Sequence, residues 1–324
     1  MRDELVSHVL VMNQHNRTVI TTMQLLGFQT PQHVNYVLFS VLLLIYCTTL
    51  GGNLLLIGLV TYCKDLHTPM YFFLTQLSIA DLLLTTDIVP IMLHHLLRST
   101  GVISFGGCMG QFYAFAFSEC SECLILTVMS YDRYVAICDP LNYVTIMNQN
   151  FCLKMVIASW LLSFVLSSIV TASIAMLDYC HSSTIDHFFC DLPPILDLSC
   201  SDISGVQMEF VVLTSLVLIG PFLIILMSYG SIISVIWRIP SVSGRKKTFI
   251  TCSSHLIVVS VFYGTLFGVY VLPNQGKFLE IRKVLSLLYT VVTPLMNPMV
   301  YSLRNEHIKK ALGVVTSHFL QNIH

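Results

Sequence analysis

Seven apolar stretches set the terms for this chain. They cover residues 36–62, 70–95, 106–138, 152–176, 205–237, 249–272 and 281–303. At a rise of about 1.5 Å per residue, a helix of that length crosses the roughly 30 Å hydrocarbon layer of a bilayer. Lipid offers backbone amides no partner, so such stretches satisfy themselves as helices. Of the 324 residues, 55% are hydrophobic and only 10% charged, whereas soluble domains carry about 25% charged residues. The expected fold is an all-α membrane protein: a seven-transmembrane helix bundle with a short amphipathic C-terminal helix.

An odd number of spans puts the two ends on opposite sides. Basic residues in short loops mark the cytoplasmic side. Arg238, Arg245, Lys246 and Lys247 follow the fifth span, and Lys64, Lys154, Arg304, Lys309 and Lys310 fall on the same side. The opposite loop holds Asp178, Asp186, Asp191, Asp197 and Asp202 and has no Lys or Arg. The N-terminus is therefore expected outside and the C-terminus inside, in a multi-pass plasma-membrane protein. Asn16-Arg17-Thr18, a glycosylation sequon, agrees. Lys277, Arg282 and Lys283 go against the charge rule. Residues 1–35 read as a polar, irregular extracellular tail, 36–303 as the spanning domain and 304–324 as a cytoplasmic tail. Within that tail, 305–319 reads as a helix lying on the inner membrane surface, with Lys309 and Lys310 on its polar side. No cleavable signal is evident, so the first span serves as its own insertion signal. A net charge of −1 and the lack of a basic arm point to no nucleic-acid partner.

Polar residues inside the spans are the candidates for function. Asn53, Asp81, Glu119, Glu122, Asp132 and Arg133 all lie within apolar stretches. Three carboxylates facing lipid would cost roughly 8–10 kcal/mol on insertion scales, so they must face protein, water or a cation. On one helix Glu119 and Glu122 lie about 60° apart, and Glu122 and Arg133 about 20° apart, which places them on one inward stripe. Each carboxyl is read either as a protonated strut between helices or as a functional group. Pro294 and Pro298 flank Asn297 in the last span, which predicts a kink whose freed backbone groups are met by side chains or water.

Of eleven cysteines, Cys108, Cys180, Cys190 and Cys200 fall on the oxidising side, and three pairings are open to them. The remaining seven are expected as free thiols. Cys120 and Cys123 sit within an apolar helix, where packing is expected rather than metal or redox chemistry. No residue pattern calls for a metal or cofactor.

The chain carries the motifs Leu66–Tyr71 (LHTPMY), Met129–Cys138 (MSYDRYVAIC), His187–Asp191 (HFFCD), Ser228-Tyr229, Phe249–Leu256 (FITCSSHL), Phe262–Thr265 (FYGT) and Pro294–Asn305 (PLMNPMVYSLRN), in this order. The chain resembles a rhodopsin-like G-protein-coupled receptor, and more narrowly a tetrapod-type (class II) olfactory receptor. The resemblance implies that Asp132 holds Arg133 at rest and that Arg133, freed, meets the G protein. Tyr134 belongs to the same switch, and Tyr229 and Tyr301 would move toward it. Asn53, Asp81, Glu122 and Asn297 would form a polar core holding water or a cation. Disulfides Cys108–Cys190 and Cys180–Cys200 are implied. Tyr263 stands where many relatives carry a toggle Trp. Met12, as an alternative start, would put Asn16 at the family's usual sequon position.

The implied ligand is a small volatile molecule bound in the outer half of the bundle. Phe115, Ala116, Glu119 and Cys120 share an inward face of the third helix. By family position Leu213, Thr214, Tyr263, Phe267 and Tyr270 complete the wall. Glu119 is extra to the family motif: ionised, it would pair with an amine; protonated, it would donate a hydrogen bond. Phe115 replaces the acid of amine-hormone receptors, and Val291 replaces the retinal lysine of opsins. The implied partners are membrane lipid and a heterotrimeric G protein of the olfactory, stimulatory type, raising cyclic AMP. The runner-up is a chemoreceptor of the same fold for a non-volatile metabolite outside the olfactory epithelium. An enzyme is not expected, since His255 near Ser253 and Ser254 lacks an acid partner. Asp139 and Asn142 depart from the family's second inner loop, where His and Arg are usual.

Overall fold

A computed structural model describes residues 10–12, 18–98, 101–180, 183–271, 278–304 and 307–313. Seven helices long and apolar enough to cross a membrane make up the bundle. They are α1 (Gln32–Tyr62), α2 (Pro69–Arg98), α3 (Phe105–Cys138), α5 (Gln149–Ala175), α7 (Ser204–Arg238), α8 (Val242–Val271), and a seventh span broken into α9 (Phe278–Leu287), a π turn (Leu288–Val292) and α10 (Thr293–Arg304). Short helices α4 (Tyr143–Ile146) and α6 (Leu192–Leu196) lie in loops. Residues 307–313 are helical, with Ile308 and Ala311 buried and Lys309 and Lys310 exposed.

Local chemistry starts these helices where hydropathy places them. Pro69 opens α2, its fixed φ suiting a first turn that needs no amide donor. Ser104 accepts from the Gly107 amide at 3.0 Å to cap α3, and Asn148 accepts from Phe151 at 3.0 Å to cap α5. Helix α3 is the axis: 67% of its apolar window is buried, against 17% for α7, where Val211, Leu216, Ile219 and Leu223 are exposed. Trp160 of α5 donates to Gln76 of α2 at 3.0 Å, one of the polar ties expected where lipid supplies no hydrophobic drive between helices.

The seventh span is interrupted by the π turn Leu288–Val292, just before Pro294, and Pro298 lies within α10. The Asn53 amide donates to the Pro294 carbonyl and to the Thr49 carbonyl, each at 3.1 Å, so a freed backbone group finds a partner on α1.

The tail differs from its irregular reading. It supplies β1 (Leu10–Met12), β2 (Thr18–Ile20) and β3 (Thr22–Leu25). Strand β3 pairs antiparallel with β4 (Gly101–Ser104) of the first outer loop and parallel with β5 (Thr184–Ile185) of the second. Met23 and Leu25 alternate inward and are buried, giving the small sheet an apolar underside. Gly27 then turns at φ 60°, and its carbonyl accepts from Lys283 at 3.2 Å. Lys283 also meets Asp186 at 2.7 Å and Glu280 at 3.0 Å. This basic residue on the acidic side is thus neutralised locally. Lys277 and Asn16 lie outside the described residues.

Candidate ligand cavity and inner switch

The cavity lies between α3, α5, α7, α8 and the second outer loop and encloses about 100 Å³. At about 10–15 Å³ per water-sized group it holds roughly seven to ten of them. Six of the nine wall residues expected from sequence line it: Phe115, Ala116, Glu119, Cys120, Leu213 and Thr214. Tyr263 and Phe267 instead pack on Phe222, with ring centroids 5.0 and 5.2 Å away. The side chain of Tyr270 lies outside the described residues. The wall is completed by Phe112, Cys123, Leu166, Ser167, Val170, Asp191, Phe210, Val217, Leu218 and Leu266. A larger cavity of about 640 Å³ lies at the inner half between α1, α2 and α5. Its lining holds no buried unpartnered polar atom, whereas the outer cavity has both oxygens of Glu119 in that state.

The outer loop is brought down onto α3 by covalent and polar ties. Cys108 at the head of α3 joins Cys190, and Cys180 joins Cys200 within the loop. The Cys190 amide donates to the Gln111 side chain at 2.9 Å. Phe189 meets Phe115 at 4.9 Å. Asp191 follows, accepting from the Leu192 amide at 2.8 Å. Burial raises the pKa of Asp191, while the Leu192 amide and Arg282 partly oppose that rise. His187, buried with ring centroids 4.6 and 4.7 Å from Phe188 and Phe189, is pushed down to about 3. Burial is the main cause, and the positive charges of Lys283 and Arg282 add to it.

Below the cavity lies the polar core. Asn297 donates to both oxygens of Asp81, at 2.9 and 3.0 Å. Glu122 is fully buried on α3, within electrostatic reach of Asp81, and its two oxygens have no hydrogen-bonding partner among the described residues.

At the inner end Arg133 donates to Asp132 from Nε at 3.0 Å and from Nη2 at 2.5 Å. The other oxygen of Asp132 accepts from Tyr143 at 2.7 Å. Burial, then the Asp132 charge, raises the pKa of Tyr143, which keeps it a donor. Tyr229 meets His255 Nδ1 at 2.7 Å, and the other ring nitrogen of His255 lies 3.2 Å from the Leu126 carbonyl. Tyr301 is buried nearby on α10, its hydroxyl unpartnered among the described residues. Tyr134 is half-buried, stacked on Tyr131. In the second inner loop the Asn142 amide donates to both oxygens of Asp139 at 3.0 Å, so the two departures from the family pattern satisfy one another.

A family model described as olfactory receptor matches residues 42–321. The chain is 44% identical to olfactory receptor 11L1 of Homo sapiens over 304 residues, 94% of each chain. The chain belongs to the olfactory receptor family. Olfactory receptor 10A7 of Homo sapiens is 44% identical, covering 95% of this chain and 98% of that one. Olfactory receptor 1468 of Rattus norvegicus is 41% identical, covering 93% and 96%. The fold also matches the crystal structure of squid rhodopsin, with TM-score 0.72, 20% identity and coverage of 90% of this chain and 88% of that one. This olfactory receptor is thus a multi-pass plasma-membrane receptor of the G-protein-coupled class, with a small-molecule ligand, and not an enzyme.

In this olfactory receptor Asp191, His255 and Tyr143 gain roles at the sites that their sequence positions do not reveal. Asp191 is one of five loop acids, and no periodicity ties a loop residue to a helix face. His255 follows Ser254 in an apolar span, which marks it as a buried polar group needing partners.

Proposed function

We propose that this receptor binds a small volatile ligand in the outer cavity and answers by activating a stimulatory, olfactory-type G protein that raises cyclic AMP. The observation that carries the reading is the cavity walled by α3, α5, α7 and the outer loop, with the Arg133–Asp132 pair at the other end of the same helix α3. An agonist works by binding the active bundle better than the resting one; equal affinity would shift nothing.

In this reading the tail 1–35 is extracellular, 36–303 is the receptor domain and 304–324 is the cytoplasmic tail carrying the short lipid-facing helix. The acidic outer loop and the basic inner cluster support that orientation. Asn16 carries a glycan. Asp132 and Tyr143 hold Arg133 at rest; Tyr134, Tyr229 and Tyr301 rearrange with it. Asn53, Asp81, Glu122 and Asn297 couple the cavity to that switch as a polar core that holds water or a cation.

The test is cyclic AMP in cells displaying the receptor with a stimulatory olfactory G protein, exposed to volatile amines, acids, esters and alcohols. A concentration-dependent rise with at least one class is expected. Silence to the whole panel at proven surface display would contradict a volatile ligand, and a response through an inhibitory G protein would contradict the transducer.

A further inference from the structure

Glu119 is the one wall residue whose chemistry the apolar cavity leaves unanswered. It is 8% exposed, lines the cavity, and neither carboxyl oxygen has a hydrogen-bonding partner among the described residues. Asp191, also 8% exposed, lines the same cavity and uses one oxygen on the Leu192 amide. Among the described residues, no Lys, Arg or His lines this cavity. Asp81, Asp191 and Glu122 all act electrostatically on Glu119, and all three are acids. Arg282 acts on Asp191 from outside the lining. The hydroxyl of Ser167 is turned away, donating to the Ser163 carbonyl. The remaining wall is mainly aliphatic and aromatic, with Phe112 and Phe115 from α3 and Phe210 from α7.

Two ionised acids lining one small cavity repel each other, and one unpaired buried carboxylate is already costly. A neutral hydrogen-bond acceptor would use at most one proton of a protonated Glu119 and leave the second acid as it was. A compact cation answers both. We infer that the cavity takes a small primary amine, its ammonium held by Glu119 within the field of Asp191 and its apolar body against the phenylalanines. An ammonium has three donors and no acceptor, so it suits two carboxyls better than any neutral group of the same size. With room for roughly seven to ten water-sized groups, the amine is a short alkyl, cycloalkyl or aryl one.

This inference rests on the outer cavity being the ligand site, and its test separates the two. Short primary amines and alcohols of the same carbon skeleton, such as hexylamine and hexanol, are compared for cyclic AMP in displaying cells. The same pairs are compared for thermal stabilisation of the purified receptor in detergent. Wild type, Glu119→Gln, Glu119→Asp and Asp191→Asn are measured at matched surface level. Amines are expected to act and their alcohols not. Glu119→Gln should raise the half-effective amine concentration by about thirtyfold or more, as loss of one partner of a buried charge pair does. Glu119→Asp should restore part of the response, and Asp191→Asn should have a smaller effect. Stabilisation by amines without cyclic AMP, lost in Glu119→Gln, would uphold the amine site while contradicting the transducer. Responses to alcohols or esters without amines would uphold the receptor and overturn the amine inference. Amines that neither activate nor stabilise, or that act equally on Glu119→Gln, would also overturn it.

Discussion

The ammonium of Lys283, with none of its side chain exposed, lies 2.7 Å from the carboxylate of Asp186. One residue is at the start of the seventh span and the other in the second outer loop, and the same ammonium reaches the Gly27 carbonyl in the tail. Three segments far apart in sequence are thus gathered on one charge.

Burial makes that arrangement asymmetric. Asp186 and Glu280 are 36% and 66% exposed, so either can hydrate if Lys283 is lost. Lys283 cannot. The double variant Asp186→Ala/Glu280→Ala should cost about 3–5 kcal/mol by stranding a buried charge. Lys283→Met should cost less, because it removes that charge altogether. Thermal melting of the purified receptor checks the order, and a lower melting point for Lys283→Met would contradict it.

The two disulfides differ in the loop they close: 82 residues for Cys108–Cys190 and 20 for Cys180–Cys200. On the chain-entropy account that is about 4.5 against about 3.3 kcal/mol. Cys108→Ser/Cys190→Ser should therefore reduce surface display and melting temperature more than Cys180→Ser/Cys200→Ser. The first pair also seats Asp191 at the cavity, so its loss should weaken ligand responses beyond the change in display.

His187 gives the outer cap a pH dependence with a definite sign. Its folded pKa, about 3, lies below the ordinary value of 6.5. The unfolded chain therefore binds a proton that the folded one refuses between those values, and stability falls as pH drops below 6.5. The slope approaches about 1.4 kcal/mol per pH unit for one proton. His187→Phe keeps a ring in the Phe188–Phe189 stack and removes the proton. Melting measured from pH 7 to pH 5 should fall more steeply for wild type than for His187→Phe; parallel curves would contradict this.

The spans were legible in the sequence because hydropathy is local. Helix α3 carries its inward stripe of Glu119, Glu122 and Arg133 in plain spacing. What was not legible is non-local. Strand β3 depends on partners some 80 and 160 residues away in β4 and β5, and nothing in Thr22–Leu25 names them. Asp191 reaches the cavity because a disulfide fixes its neighbour Cys190 to α3. Tyr263 and Phe267 share the right helix face for the cavity, yet Phe222 of the adjacent helix takes their contact.

Tyr143 divides the attention of Asp132 with Arg133 at the inner end. A hydrogen bond to a charged group contributes about 1.5–3 kcal/mol. Tyr143→Phe removes it from the resting arrangement and should raise ligand-independent cyclic AMP by about tenfold or more if that bond is absent from the active one. Unchanged basal signalling at equal surface level would show that the bond persists through activation.

Arg133→Ala tests the central claim most directly, that ligand binding at the outer cavity is read out through the Arg133 switch. Wild type and Arg133→Ala are compared, at matched surface display, for odorant-evoked cyclic AMP and for stabilisation of the purified receptor by the same odorant. The account predicts that Arg133→Ala still melts higher with ligand but raises no cyclic AMP. Full signalling by Arg133→Ala would contradict it.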